Sequence, residues 1–317
     1  MSEDPEIGSE PETIAGDQPS HRSGGAGRSV PNSSDRHPAS TAPPLNSTFR
    51  GGEVNDSGIS VDAVGWVAIA GDWHGSISWV QSAIPRLHRQ APDVSMIFHL
   101  GDFGIFKEAH GSGFLAAVDF LCYSAGISRV FVTPGNHEDW GELAARFARE
   151  PGEAVQLSRV VWVLPRGFRF TLGGHRWMSF GGAASVDREF RSEGVDWWAD
   201  EAPTELDVER AIAGGPVEVM LTHETVDDGT SQVENILATN PMGWAPKALA
   251  YSAESRAKVT RVWNAVRPKV LAHGHLHVKG DIELADGRRV YSLGCNGMPG
   301  NLALLNTKTL EWEWLKG

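Results

Sequence analysis

Five times in this chain an apolar run stops abruptly at a glycine or threonine followed or preceded by Asp, His or Asn. Val64–Ala70 ends at Gly71-Asp72-Trp73-His74, Val94–Leu100 at Gly101-Asp102, and Arg129–Val132 at Pro134-Gly135-Asn136-His137. Later, Pro216–Leu221 ends at Thr222-His223, and Lys269–Ala272 runs into His273-Gly274-His275-Leu276-His277. Phe180-Gly181-Gly182 opens a similar polar stretch. Short apolar runs of this length read as buried strands. Polar groups at their ends are expected to converge, because a sheet fixes the roots of its loops.

Between the first runs the pattern changes to helix. Ser76–His88 carries an apolar stripe of Trp79, Val80, Ala83, Ile84 and Leu87, with Pro85 in its middle, and Phe114–Tyr123 is helical in texture. Strand, helix and strand in alternation predict parallel crossovers. After Val160 the runs shorten: Val160–Leu164, Phe168–Leu172 and Arg176–Phe180 are separated by turns and read as antiparallel neighbours. Helices are expected over Arg188–Ala199, Glu205–Ala213 and Glu254–Val266. Strands close the chain at Lys279–Leu284, Arg289–Leu293, Leu302–Asn306 and Glu311–Leu315. Mixed parallel and antiparallel signals predict two packed sheets with helices outside.

Composition divides the chain. Residues 1–60 hold seven of the 18 Pro and none of the 12 Trp, with Phe49 their lone aromatic. Such a segment buries too little apolar surface to offset its ordering entropy, so 1–60 is expected to be a disordered leader and 61–317 one domain. The leader begins acidic and lacks an apolar stretch of signal-peptide type, and a cytoplasmic location is expected. Two cysteines, Cys122 and Cys295, exclude a disulfide scaffold. The formal charge of −12 gives no long-range attraction to phosphate backbones or anionic lipid. A nucleic-acid substrate therefore has no support from charge, and no membrane partner is expected.

The strand-end residues include two carboxylates, four imidazoles and one carboxamide: Asp72, Asp102, His74, His223, His275, His277 and Asn136. Such nitrogen and oxygen donors suit Mn, Fe, Zn, Co or Ni, with Mn favoured, rather than a soft thiolate-bound metal. One carboxylate can bridge two cations, and a dinuclear centre suits attack on a phosphoryl group.

The order of these blocks, D-x-H, G-D, G-N-H-E, a lone H and G-H-x-H, resembles the calcineurin-like metallophosphoesterase family, and the GGA-x-S-x-D stretch from Gly181 is similar to bacterial and phage-type members. The resemblance implies an α+β fold, a two-sheet β-sandwich flanked by helices in α/β/β/α layers. It implies that Asp72, His74 and His277 hold a first divalent ion, that Asn136, His223 and His275 hold a second, and that Asp102 bridges them. His137 would contact the phosphate and protonate the leaving oxygen. The implied activity is that of a metal-dependent phosphodiesterase or phosphomonoesterase using a metal-bridging hydroxide, on a small phosphate ester or nucleotide. The alternatives are a non-catalytic scaffold of the same fold and a nuclease acting on nucleic-acid ends.

Neighbouring polar residues carry plainer expectations. His273 falls outside the motif and reads as structural, His99 as a core or orienting imidazole, and His88, His110 and His175 as surface or packing residues. Glu138 and Asp139 are read as residues that hydrogen-bond within the loop, steady a metal ligand or start a helix, and Trp73 and Trp140 as loop packing, with a pocket wall as the alternative for one of them. Asp187 is a candidate helix cap. Arg188 either reaches a phosphate or faces solvent. The punctuated segment from Val226 to Arg256 is read as a lid, a substrate wall or a surface loop.

Overall fold

The computed structural model describes residues 65–105 and 108–316. The leader expected over 1–60 lies outside them. Thirteen strands among the described residues form two sheets.

The first sheet is built on three parallel strands, β1 (Trp66–Ala70), β2 (Met96–His99) and β3 (Arg129–Val132). The crossovers between them are α1 (Ile77–Gln90) and α2 (Glu108–Ser124). A third helix, α3 (Trp140–Arg149), leads to β4 (Val155–Gln156) and β5 (Val161–Val163), which complete one side. The second sheet begins with β6 (Phe168–Leu172) and β7 (His175–Phe180), then α4 (Glu205–Ala213) and β8 (Val219–Thr222). After α5 (Ser231–Thr239) and α6 (Pro246–Val266), it adds β9 (Val270–His273), β10 (Gly280–Glu283) and β11 (Arg289–Ser292). The chain then returns to the first sheet as β12 (Leu302–Asn306) and β13 (Trp312–Trp314). The orders are β13-β12-β1-β2-β3-β5-β4 and β10-β11-β9-β8-β7-β6.

Side-chain alternation on strands explains the layering. In β1, Ala68 and Ala70 face α1 and α2, where they pack with Val80, Ala83, Ile84 and Leu87. Val67 and Ile69 face the other way, into a core between the sheets with Phe98, Phe131, Phe170 and Trp177. Phe98 stacks on Phe170 at 5.5 Å and on Trp177 at 5.3 Å between ring centres. Outside the second sheet, Met178, Phe180, Met220 and Leu271 pack against Val208 of α4 and Val259, Val262 and Trp263 of α6. The expected α/β/β/α sandwich is the observed fold.

Two local expectations fail. Arg188–Ala199 is not a helix: only single turns form, at Arg188–Phe190 and Ala199–Glu201. Between them Gly194 takes φ +74°, and Ser192 turns its N–H onto Asp196 Oδ1, so the chain folds on itself. Val160–Leu164 is not an antiparallel neighbour of Phe168–Leu172 either. Its strand β5 runs parallel to β3, and the chain then changes sheets before the β6–β7 hairpin. Conversely, α1 runs through Pro85: Ser76 accepts the N–H of Trp79 at its start, and four buried apolar residues hold the stripe against the sheet. The segment from Val226 is largely helical, in α5 and α6. Among the described residues, no helix is long and apolar enough to cross a membrane.

Candidate metal centre

Strands β1, β2 and β3 are mutually parallel, as are β8, β9 and β11. The loops leaving these strands meet at one rim of the sandwich. Asp72 and His74 leave β1, Asp102 leaves β2, and Asn136 and His137 leave β3; His223 follows β8, and His275 and His277 follow β9.

Asp72, His74, Asp102 and His277 each offer a ligand atom within 4.8 Å of the others. His277 Nε2 is 3.0 Å from Asp72 Oδ2, and His74 Nε2 is 3.6 Å from Asp102 Oδ2. On the other side of Asp102, His223 Nε2 lies 3.4 Å from Oδ1 and 2.9 Å from Asn136 Oδ1. His275 stands edge-on to His223, ring centres 5.0 Å apart. All seven expected ligand residues are thus gathered, with the Asp102 carboxylate reaching toward both groups.

The donor chemistry fits divalent cations. His223 Nδ1 is 2.6 Å from the Leu100 carbonyl, which only accepts, so Nδ1 carries the proton. Its Nε2 therefore turns a lone pair toward Asn136 Oδ1 and Asp102 Oδ1 unless a second proton is added. His275 Nε2 is buried with no hydrogen-bond partner. Three convergent lone-pair atoms and an orphaned imidazole nitrogen suit a cation and little else.

The electrostatics agree. Burial opposes a charged imidazole at His74 and His223, yet Asp102 raises them to about 9 and about 10. Burial is likewise overcome at His277, where Asp72 raises the ring to about 10. Burial opposes ionisation of Asp102, but the His223 and His137 charges hold it well below the usual carboxylate range. His275 is pushed well below its ordinary value by burial and by His223. The carboxylates call for positive charge, which divalent cations held by these residues would supply in place of the protons.

Backbone strain marks the same place. Of eight non-glycine residues with positive φ among the described residues, four are His74, Asp102, His275 and His277. Such conformations cost on the order of 1–3 kcal/mol each and collect at functional sites. Gly101 takes φ +97° and packs against Gly135, which itself lies so close to Asp102 that a Cβ would overlap the carboxylate.

Several supporting residues resolve the plainer expectations. Glu138 is buried and ties two ligand loops together: Oε1 accepts from Phe103 N and Oε2 from Gly135 N, both at 2.6 Å. Asp139 caps α3. Trp140 Nε1 donates to the Gly135 carbonyl, and Trp73 Nε1 to Asn301 Oδ1. His99 is buried between Trp73 and Phe103, and His273 lies between Thr225 Oγ1 and the Gly274 carbonyl, both as structural imidazoles.

Other residues around the site were missed in sequence, Asn296 and Arg191 among them. Asn296 Oδ1 is 2.8 Å from His74 Nδ1, which leaves His74 Nε2 free for a cation. Its setting, Leu293-Gly294-Cys295-Asn296 after β11, repeats the strand–glycine–polar pattern of the other loops and was legible on that basis. Arg191 places Nη2 2.6 Å from His137 Nδ1 while Asp187 grips the same guanidinium. Arg188 instead stacks with its Cζ 4.1 Å from the Trp197 ring and 5.2 Å from Tyr251. Asp187 thus serves Arg191 and makes no capping hydrogen bond.

Among solved structures, the chain is similar to TT1561 of Thermus thermophilus, at 14% identity and a TM-score of 0.46, covering 80% of this chain and 100% of that one. It is also similar to a dimetal phosphatase from Danio rerio, at 12% identity and a TM-score of 0.49, covering 77% and 93%. No curated protein sequence matches it. The sequence profile of the calcineurin-like phosphoesterases matches residues 65–279, from the strand before Asp72 to the loop after His277. By that match, over two thirds of its length, the chain belongs to the calcineurin-like phosphoesterase family.

Proposed function

We propose that this protein is a dinuclear-metal-dependent phosphohydrolase acting on a small phosphomonoester or phosphodiester, a nucleotide among the candidates, in the cytoplasm and with manganese as a favoured metal. Its single catalytic domain would span 61–317 and be of the kind found in bacterial and phage-type members. The observation that carries it is the position of Asp102, whose two oxygens face His74 on one side and His223 on the other. Asp72, His74 and His277 would hold one cation, Asn136, His223 and His275 the other, and Asp102 both. Bound divalent cations supply neutralisation of phosphoryl charge and bring a water toward a near-neutral pKa.

The chain's own groups do the rest. His137 Nε2 is 3.8 Å from Asp102 Oδ2, so its ring borders the space a phosphate would enter. From there it would donate a proton to the departing oxygen, help typically worth ~10²–10⁴ in rate. Arg191 adds a fixed positive charge beside the same ring. The complete set of ligand residues favours an enzyme over a scaffold.

The test is a panel of a phosphomonoester, a linear diester and 2′,3′- and 3′,5′-cyclic nucleotides, offered to Mn²⁺-loaded protein and to H137A. Hydrolysis that chelation abolishes and H137A slows is expected. Hydrolysis indifferent to chelator, or no turnover of any ester, overturns the reading.

A further inference from the structure

Behind Asn136 the hydrogen bonds continue into the protein. Asn136 Nδ2 donates to Ser185 Oγ at 3.0 Å. Ser185 Oγ donates to Glu201 Oε2 at 2.7 Å, and the Ser185 N–H donates to Glu201 Oε1 at 2.7 Å. Tyr251 of α6 adds its hydroxyl to Oε1 at 3.3 Å. Asn136, Ser185 and Glu201 are only 2%, 1% and 0% exposed. They come from three separate segments: the loop after β3, the loop after β7, and the single turn Ala199–Glu201.

A carboxamide has two ends of nearly equal shape, and only its oxygen binds a cation. Packing cannot distinguish them, so hydrogen bonding must. A serine hydroxyl has one proton. An ionised carboxylate only accepts, so at 2.7 Å Glu201 takes that proton and leaves Ser185 Oγ as an acceptor. The Asn136 NH₂ is drawn to Ser185, and Oδ1 is left facing His223 Nε2 at 2.9 Å. The opposite orientation would bring Oδ1 against a serine lone pair in a buried setting, which is costly.

We propose that Ser185 and Glu201 are positioning residues that fix the amide of Asn136 with its oxygen toward the second cation group. The proposal rests on the metal-site reading above and adds to it residues that touch no cation. Ser185 acts as a one-way link, and its direction is set by the Glu201 carboxylate. Glu201→Gln is nearly isosteric. Its Oε1 must still accept the buried Ser185 N–H, so its NH₂ replaces Oε2 and donates to Ser185 Oγ. The serine proton is then released toward Asn136, whose oxygen turns to accept it and leaves the site. Ser185→Ala removes the link altogether.

The experiment titrates metal-stripped wild type, S185A and E201Q with Mn²⁺ at pH 8, followed by calorimetry and by electron paramagnetic resonance. At that pH Glu201 is ionised, since burial, opposed by the Ser185 hydrogen bonds, pushes its carboxyl up only to about 7. Wild type is expected to bind two equivalents and show a spin-coupled pair. The variants are expected to keep the first equivalent, to bind the second ~10–100-fold more weakly and to lose the coupled signal. Circular dichroism of the metal-free proteins reports folding, and E201Q decides the matter if S185A does not fold. Variants that bind both ions as tightly as wild type overturn the proposal and leave the metal-site reading intact. Wild type that binds no ion overturns both.

Discussion

Arg191 is clamped against His137, with Nη2 2.6 Å from the imidazole Nδ1 and 3.3 Å from Nε2. Asp187 holds the same guanidinium through a fork of 2.8 and 2.7 Å. A permanently charged, donor-only group held beside the proposed acid gives phosphoryl charge a fixed counterpart. Replacing Arg191 by Met is expected to lower kcat on the order of 10²-fold with folding intact. Lysine should restore only part of it, because an ammonium cannot keep the Asp187 fork. Steady-state kinetics on metal-loaded R191M and R191K check this; unchanged kcat in R191M would remove Arg191 from the site.

Asp102 and His277 are expected to fail differently. Asp102 Oδ1 faces His223 and Oδ2 faces His74, whereas His277 lies on the Asp72 and His74 side, with Nε2 3.0 Å from Asp72 Oδ2. D102A should lose both cations, and H277A only one. Elemental analysis after desalting into dilute Mn²⁺ distinguishes them, and equal metal content in the two variants would refute a bridging Asp102.

Glu201 makes stability depend on pH in a direction opposite to that of a paired surface carboxylate. Burial raises its folded pKa to about 7, against hydrogen bonds from Ser185, while an unfolded glutamate titrates near ~4.3. The folded state therefore holds the proton more tightly. Its contribution is fully present below ~4.3 and is lost as pH rises to about 7, by on the order of 1 kcal/mol per pH unit. Urea unfolding of metal-free wild type and E201Q at pH 5 and pH 7.5 should show the wild type losing ground to the variant as pH rises. Parallel changes in both would assign the proton to another group.

Gly135 is expected to accept no side chain. A Cβ there would overlap the Asp102 carboxylate and crowd its backbone, in a loop already tied down by Glu138. G135A should cost about 1–3 kcal/mol by overpacking and should weaken metal binding as well. Thermal melts with and without Mn²⁺ test both, and a metal-induced rise in Tm as large as that of wild type would count against the close approach.

Strand-forming apolar runs and the Gly-Asp, Gly-Asn-His and Gly-His-x-His stops exposed the rim in the sequence, because each is local and each recurs. Glu205–Ala213 and Leu302–Asn306 were legible to the residue. Over Arg188–Ala199 the expected helix gives way to single turns because Gly194 and the Ser192–Asp196 contact reverse the chain. Arg191 and Glu201 stayed hidden for a related reason. Their partners, His137 and Ser185, are 54 and 16 residues away, and no local period connects a side chain to a contact made through irregular backbone.

The polar rim draws Asp72, Asp102 and Asn136 from one sheet and His223, His275 and His277 from the other. Cations seated there would rivet the two halves of the sandwich at one edge, while Phe98, Phe170 and Trp177 act as the spacer beneath. Thinning that spacer, as in Phe98→Leu, would change the gape between the jaws. A purely apolar substitution, remote from any ligand, would then tune how well the clasp grips its metals.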